Sequence, residues 1–289
     1  MKVGIIGVGL MGQGIARNVM IKGGFDLCFL DHPGNQPTDE IRGLGAVACA
    51  TPAEVAAASD VVILCVTGSA QVEQIMTGPQ GVLDALRAGS IVVDCSTALP
   101  ESTVALAAQA QAKGAQFLDA PMTRTSAHAH AGTLNLLVGG DADVLAQVAP
   151  VLDSFTENVQ RVGDVGAGHR MKLLHNYVSI GFMTLLGEAA AQAADGGVDP
   201  AVFVDVLATG GGASVALDRF APFITGGDTS GLPFSVSNAL KDIEYYREMA
   251  GAAGAQQTVA NGVVDALRQT VEIGHGDAYL PELVKLFAK

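Results

Sequence analysis

The chain has 289 residues, enough for one large domain or two of ordinary size, and its 49% hydrophobic and 16% charged content excludes a disordered protein. Its 16 basic residues are outnumbered by 29 acidic ones, and the formal net charge of -13 argues against a broad basic surface for nucleic acid or anionic membranes. Four cysteines without CxxC spacing, no secretory signal and no apolar run of bilayer length predict a cytoplasmic protein with reduced thiols.

The first part of the chain alternates short apolar runs with helical segments such as Met11–Lys22 and Glu101–Lys113. The predicted strands, rich in Val, Ile and Leu, are Val3–Gly7, Asp26–Asp31, Val61–Val66, Ser90–Asp94, Gln116–Asp119 and Leu134–Val138. Alternation of this kind is typical of a doubly wound parallel sheet. We therefore predict an α/β domain of the Rossmann type over residues 1–165.

The remainder of the chain has a helical pattern. Residues 169–195 contain no proline and place apolar side chains at helical spacing, while Asp199-Pro200 is typical of a helix start. Residues 235–250 and 256–273 form two further helical segments. We predict an all-helical second domain over residues 166–289, and its alanines and glycines, which permit close packing of helices, favour a homodimer or homotetramer.

A glycine-rich turn, Gly7-Val8-Gly9-Leu10-Met11-Gly12, directly follows the first strand and opens the first helix. Its first glycine permits the tight turn, the second lets the backbone approach a pyrophosphate, and the third lets helix and strand pack closely. The helix N-terminus adds amide donors for the phosphates. The predicted cofactor site consists of Gly7, Gly9, Leu10, Met11 and Gly12, with Val66 and Thr97 at the ends of later strands.

Asp31 ends the second strand, where the ribose-binding acid of such sites belongs. A carboxylate there accepts hydrogen bonds from the adenosine 2′-hydroxyl and repels a 2′-phosphate, and the adjacent His32-Pro33-Gly34 offers no Arg or Lys. This predicts NAD as the cofactor in preference to NADP. The alternative is an aspartate that only stabilises the turn before Pro33.

Polar side chains recur where later elements begin or end. Ser96 and Thr97 follow a strand at the ligand-binding edge of the sheet, as substrate or cofactor contacts or as helix caps. Lys172 and Asn176 are four residues apart, so they share one face of the predicted long helix. A lone lysine is usually a solvated charge, but Lys172 has apolar neighbours and follows Gly163-x-x-Gly166-x-Gly168.

These motifs resemble the β-hydroxyacid dehydrogenase family, which includes 3-hydroxyisobutyrate dehydrogenase and tartronate semialdehyde reductase. The resemblance covers nearly the whole chain and rests on the glycine-rich turn, Asp94-x-Ser96-Thr97, Asp119-Ala120-Pro121, the segment from Gly163 to Asn176, and Lys241-Asp242. It implies that Lys172 is the catalytic acid/base, that Asn176 helps to hold the substrate, and that Lys241 reaches the cofactor.

The chain departs from the family where its Asp-Ala-Pro motif usually continues with Ser-Gly-Gly. Thr123, Arg124, Thr125 and Ser126 stand there instead, which is similar to the Arg-Thr-Ser run of the sulfolactaldehyde reductase branch. The stretch His175-Asn176-Tyr177-Val178-Ser179 also resembles that branch, which adds His175 and Ser179 to the substrate site. The planar fork of Arg124 suits a carboxylate or sulfonate, although an internal ion pair is the alternative.

The predicted function is therefore that of an NAD-dependent oxidoreductase of a small anionic β-hydroxyacid. An imine reductase or a catalytically silent dinucleotide-binding module are the alternatives, and the presence of Lys172 argues against both, because such relatives lack this lysine. His128 and His130 form a His-x-His pair without a third ligand nearby, so we predict no metal site.

Overall fold

A computed structural model describes residues 1–288, which form two compact units that divide between Lys172 and Leu173. The first unit contains a mixed sheet whose strands are β1 (Lys2–Ile6), β2 (Asp26–Leu30), β3 (Val47–Cys49), β4 (Val61–Leu64), β5 (Ile91–Asp94), β6 (Gln116–Asp119), β7 (Met122–Thr123), β8 (Leu134–Gly139) and β9 (Thr156–Gly163). The predicted boundary near residue 165 lies just before the helix that the two units share.

The strand order is β3-β2-β1-β4-β5-β6-β8-β7, with β9 paired to β8. The six strands from β3 to β6 are parallel, and β8 runs antiparallel to β6 and β7. The chain leaves β3 at one edge and resumes at β4 on the other side of β1, so the topological switch point lies between β1 and β4. Open sheets of this order bind ligands at that point, beyond the carboxyl ends of the strands.

Helices cover both faces of this sheet. They are α1 (Gly12–Ile21), α2 (Asp39–Gly43), α3 (Pro52–Ala58), α4 (Ser69–Thr77), α5 (Val82–Ala85), α6 (Pro100–Ala112), α7 (Ser126–Ala131) and α8 (Ala142–Leu152). Val3 and Ile5 of β1 pack in a core with α1 and α8, while Ile6 packs in a second core with α3, α4 and α6. Burial on both faces is what makes these strands continuously apolar in sequence.

The second unit is helical. Helix α9 (Ala167–Asp195) begins in the first unit and continues into the second, where it is followed by α10 (Pro200–Ala208), α11 (Val215–Gly226), α12 (Val236–Ala252), α13 (Thr258–Thr270), a π-helical segment (Val271–His275), a 3₁₀ turn (Leu280–Glu282) and α14 (Leu283–Leu286). Its largest core includes Phe220, Ile243 and Leu267. Within residues 1–288, no helix has both the length and the hydropathy to cross a bilayer.

The predicted fold class, a Rossmann-type sheet followed by an all-helical region, is confirmed. Asp199 caps α10 through its side chain with Pro200 in the first turn, as its sequence indicates. The sequence pattern did not indicate β3, β7 or β9. The first two are too short to show a period, and β9 is a largely exposed edge strand with a polar sequence.

Candidate active site

The glycine-rich turn Gly7–Gly12 lies at the carboxyl end of β1, at the switch point. Gly7 has φ of 101°, and a Cβ there would lie 2.2 Å from the Cys65 carbonyl oxygen. A Cβ on Gly12 would lie 1.9 Å from the Gly7 oxygen, whereas a Cβ on Gly9 would meet nothing within 4 Å. Gly7 and Gly12 therefore close the turn, whereas Gly9 leaves open space above it, which fits a dinucleotide pyrophosphate. Leu10 is 62% exposed on the same turn, and Met11 precedes α1.

The loop after β2 is fastened to this turn. The Oδ1 atom of Asn35 accepts from the Val8 amide at 3.3 Å, and its Nδ2 donates to the Leu30 carbonyl at 2.9 Å. Asp31 directly follows β2, and its Oδ2 accepts from Nη2 of Arg42 at 3.0 Å. Arg42 was not predicted from the sequence, because the residues adjacent to Asp31 are not basic and α2 brings this cation back from eleven positions further along.

The carboxyl ends of β4 and β5 bring two predicted residues together. The Val66 amide donates to Ser96 Oγ at 3.1 Å, and the Ser96 amide donates to Asp94 Oδ1 at 2.9 Å. Ser96 is buried and Thr97 is half-buried. The hydroxyl of Ser96 therefore positions the backbone at Val66 and also lies at the ligand-binding edge of the sheet.

Two cysteines, Cys65 and Cys95, lie at this edge. Burial raises the pKa of the Cys65 thiol to about 12 and that of Cys95 well above its ordinary value. A raised pKa disfavours the thiolate, which is the nucleophilic form of cysteine.

The start of α9 is anchored on the carboxyl end of β6. Asp119 is fully buried, and its two carboxylate oxygens accept from the backbone amides of Gly166 and His169, each at 2.8 Å. Gly166 directly precedes α9 and His169 lies in its first turn, where backbone amides lack intrahelical partners. A negative charge at a helix N-terminus is also favoured by the helix dipole. The motif residue Asp119 thus fixes the position of the helix that carries Lys172.

The His169 ring joins the same helix to β5. Its Nε2 lies 3.1 Å from the Ser96 carbonyl oxygen, which can only accept, so Nε2 carries a proton. Its Nδ1 lies 2.7 Å from Thr103 Oγ1. Asp94 and Asp119 approach the ring nitrogens at 3.9 Å. Burial raises the pKa of Asp94 above its ordinary value, and the nearby ring opposes that shift. His169 was not predicted from the sequence, because its contacts reach residues up to 73 positions away.

Lys172 and Asn176 both lie on α9, one turn apart, as the sequence predicts. Lys172 is half-buried and is the last residue of the first unit. Asn176 is buried in the second unit, with 6% of its surface exposed.

A hydrogen-bonded group surrounds Asn176. Its Nδ2 donates to Asp242 Oδ2 at 2.6 Å, and its Oδ1 pairs with His175 Nδ1 at 3.0 Å. Asp242 Oδ1 lies 3.0 Å from Lys241 Nζ, and Ser179 Oγ donates to the Asn176 carbonyl at 3.4 Å. The structure therefore brings together the four predicted residues of this unit and adds Asp242, which fixes the orientation of the Asn176 amide. The sequence motif Lys241-Asp242 implied a role for Lys241 but none for Asp242.

The run Thr123–Ser126 connects the end of β7 to α7. Arg124 adopts a left-handed backbone with φ of 78°. Its Nη1 donates to the Thr133 carbonyl at 2.6 Å and forms an ion pair with Glu157. Both bonds start from Nη1, which carries two of the five N–H donors of a guanidinium. Of the two roles left open for Arg124, the structure contains the internal ion pair, and anion binding stays a prediction.

The other three residues of this run lie at the borders of β7 and α7. Thr123 pairs with Asn135 across β7 and β8, and Ser126 is the first residue of α7. Thr125 precedes α7 and places its Oγ1 2.9 Å from His128 Nδ1. In residues 1–288, no three His, Cys, Asp or Glu side chains are grouped as metal ligands.

Helix α7 is docked on the nucleotide helix α1. The fully buried Asn18 donates through Nδ2 to the carbonyls of Ala129 and His130, at 2.8 and 3.0 Å, and Lys22 Nζ donates to a third at Ala131. A Cβ on Gly14 would lie 2.5 Å from the Ala129 backbone. The orphan carbonyls at the end of α7 are thus capped by side chains of α1. No local sequence pattern indicates this long-range contact.

Two family models together cover almost the whole chain. Residues 2–163 match the NAD binding domain of 6-phosphogluconate dehydrogenase. Residues 166–287 match the domain described as NAD-binding of NADP-dependent 3-hydroxyisobutyrate dehydrogenase. The division between these two matches falls at the segment that leads into α9.

Relatives of known name include dehydrogenases and reductases of small hydroxyacids. The chain is 34% identical to 2-(hydroxymethyl)glutarate dehydrogenase from Eubacterium barkeri, covering 80% of this chain and 76% of the relative. It is 35% identical to 3-sulfolactaldehyde reductase from Escherichia coli over 65% and 62% of the two chains. The crystal structure of 3-hydroxyisobutyrate dehydrogenase from Salmonella typhimurium has a TM-score of 0.87 at 27% identity, over 99% and 100%. Imine reductases share the fold at TM-scores of 0.60 to 0.62.

Proposed function

The chain belongs to the β-hydroxyacid dehydrogenase family, and we propose that it interconverts a small anionic β-hydroxyacid and the corresponding aldehyde or ketone. It is an NAD-dependent oxidoreductase that acts on a CH–OH group. The named relatives act on hydroxyisobutyrate, 2-hydroxy-3-oxopropionate and sulfolactaldehyde. Substrates of these three types, each with a carboxylate or a sulfonate, are the candidates for this enzyme.

The anchoring of α9 by Asp119 is the observation that best supports this chemistry. It fixes the first turn of the helix at the carboxyl edge of the sheet, the edge that also carries the glycine-rich turn. Lys172 lies three residues after His169 on that anchored turn. A lysine on this anchored helix suits proton transfer, because a general acid or base must be held in hydrogen-bond reach of the reacting hydroxyl.

In the proposed mechanism, Lys172 Nζ takes the hydroxyl proton when the alcohol is oxidised and donates a proton when the carbonyl is reduced. The glycine-rich turn and Asp31 would hold NAD, which would supply the hydride acceptor for oxidation of the carbinol carbon and, as NADH, the hydride donor for the reverse reduction. Asn176 presents a side-chain amide to the substrate, held in one orientation by Asp242. A lysine and an amide can stabilise the developing alkoxide without a metal ion.

A screen of purified enzyme against small hydroxyacids and hydroxysulfonates, with NAD and NADP, tests the proposal. We expect NAD-linked oxidation of at least one β-hydroxyacid and reverse reduction of its aldehyde or ketone. Cyclic imines, offered with NADH, serve as the comparison for the alternative activity. Turnover of imines alone would refute the proposed substrate class, and NAD binding without any turnover would indicate a silent module.

We further propose that Arg124 binds the anionic end of the substrate. Replacing it with alanine should then raise KM for a hydroxyacid or hydroxysulfonate by the equivalent of about 2–4 kcal/mol, because an anion would lose its charge-assisted hydrogen bonds. A neutral alcohol of similar size should be affected much less. Lysine at this position should restore only part of the affinity, since a point charge cannot reproduce the fork.

The ion pair with Glu157 supplies the matched variant for Arg124. Replacing Glu157 with glutamine removes the negative charge of the internal partner and leaves the guanidinium in place, so KM for the anion should stay the same or fall. Thermal unfolding of both variants separates binding from stability. Equal losses of stability in Arg124→Ala and Glu157→Gln, with KM unchanged in both, would assign Arg124 to the fold alone.

We also propose that a second copy of the chain covers α10. None of its residues is buried, and Val202 and Val206, one turn apart, are 54% and 62% exposed. Apolar faces of this kind mark association surfaces. Val206→Glu should therefore shift the protein from a dimer or tetramer toward the monomer in light scattering, whereas the exposed Val104→Glu should not. A monomeric wild type at micromolar concentration would rule the idea out.

A further inference from the structure

Arg42 lies beside the predicted ribose-binding acid. Its Nη2 is 3.0 Å from Asp31 Oδ2, and both side chains are exposed, at 42% and 57%. We propose that Arg42 is a latent binding group for the 2′-phosphate of NADP. In the native enzyme, the Asp31 carboxylate occupies its guanidinium. The inference rests on the proposed role of Asp31 at the adenosine ribose.

The guanidinium is held in place by contacts that do not involve Asp31. Its Nε donates to Thr38 Oγ1 at 2.9 Å, and its central carbon lies 5.0 Å from the centre of the Phe29 ring. Stacking on an aromatic face and a hydrogen bond to the hydroxyl both restrict the side chain. Removing the Asp31 carboxylate should therefore release the Nη donors without releasing the side chain.

Helix α2, which carries Arg42, is held against α1 by an ion pair. Arg17 of α1 donates through Nε to Glu40 Oε1 at 2.6 Å, which ties α2 to the nucleotide helix. The cation is thus mounted on the same framework as the phosphate-binding turn. A guanidinium in such a place offers two parallel donors to a phosphate, the geometry in which Arg binds phosphate best.

The ion pair explains how NAD preference arises in a site that already has a cation. Asp31 serves both as an acceptor for the ribose hydroxyls and as an internal anion that keeps Arg42 occupied. The selectivity is then set by one carboxylate, not by the lack of a basic residue near the ribose. Neutralising that carboxylate should be enough to admit the 2′-phosphate, with no arginine added to the loop at His32-Pro33-Gly34.

The test compares wild type, Asp31→Ser, Arg42→Gln and the double variant by calorimetric titration with NAD and NADP, and by kcat/KM with each cofactor. Asp31→Ser should weaken NAD binding and tighten NADP binding, so that the ratio of the two dissociation constants changes by about ten- to a hundredfold. The double variant should lose the gain for NADP and bind NAD like the single Asp31 variant. Arg42→Gln alone should change the affinities for NAD and NADP by less than about threefold, because Asp31 already occupies the guanidinium in the native enzyme.

A remote ion pair provides the control for net charge. Arg87 donates to Asp60 at 3.0 Å, and the double variant Asp31→Ser with Arg87→Gln should keep the gain for NADP. If Asp31→Ser with Arg42→Gln also keeps the gain, Arg42 does not bind the phosphate. If Arg42→Gln weakens NAD and NADP equally, it contacts the adenosine and not the phosphate. If Asp31→Ser leaves the preference unchanged, the role of Asp31 itself is wrong.

Discussion

Replacing Lys172 with alanine is expected to lower kcat by at least about a hundredfold, the lower range for loss of a positioned acid or base. In the proposed mechanism the reacting hydroxyl would then have no group to take its proton, while the glycine-rich turn and Asp31 would be unchanged. NAD binding, measured by calorimetry, should therefore stay within a few-fold of wild type. Turnover should be followed in both directions with the best substrate of the screen.

The exposed Lys113, which ends α6, provides a matched lysine-to-alanine control. Its replacement should leave kcat and NAD binding unchanged. Near-normal turnover in Lys172→Ala would remove Lys172 from the mechanism. A parallel loss of NAD affinity would instead assign it to cofactor binding.

Asp119→Asn is expected to destabilise the protein by about 1–3 kcal/mol or more. Both carboxylate oxygens accept backbone amides, so the new side-chain NH₂ would face a buried N–H donor, leaving one amide unpaired. The first turn of α9 should shift as a result. Because small misplacements of a catalytic group are costly, kcat should also fall by about tenfold or more.

Urea unfolding and steady-state kinetics measure the two effects. Asp164→Asn is the matched control, since the Asp164 side chain is 99% exposed and pairs only across three positions with Arg161. A surface pair of this kind contributes about 0–1 kcal/mol. Wild-type stability and kcat in Asp119→Asn would mean that the carboxylate does not hold the helix.

Periodic patterns made much of this fold predictable. The apolar runs of β1 and β4 indicated buried parallel strands, and Asp199-Pro200 indicated the start of α10, because both signals arise from local geometry. The short edge strand β7 and the polar strand β9 carry no such signal. Their pairing with β8 is decided by neighbours in space.

In the candidate site, too, only the features that depend on local spacing were predictable from the sequence. Glycine spacing and the distance from Lys172 to Asn176 can be read from a linear sequence, since a turn and a helix fix their geometry. The contacts of His169, Asn18 and Arg42 depend on how distant elements pack. Arg124 was predicted from its chemistry, but its ion-pair partner Glu157 lies 33 positions away and could not be identified from the sequence.

The capping of α7 by α1 has a consequence for protein engineering. Asn18 and Lys22 hold the carbonyls at the end of the helix that follows the Thr123–Ser126 run, and Gly14 leaves no room for a side chain at that contact. A segment grafted here from a relative would bring its own helix, which would have to fit the Asn18, Lys22 and Gly14 contacts of this α1. Exchanges of specificity in this scaffold should therefore transplant both segments as one module, although more than a hundred positions separate them in the chain.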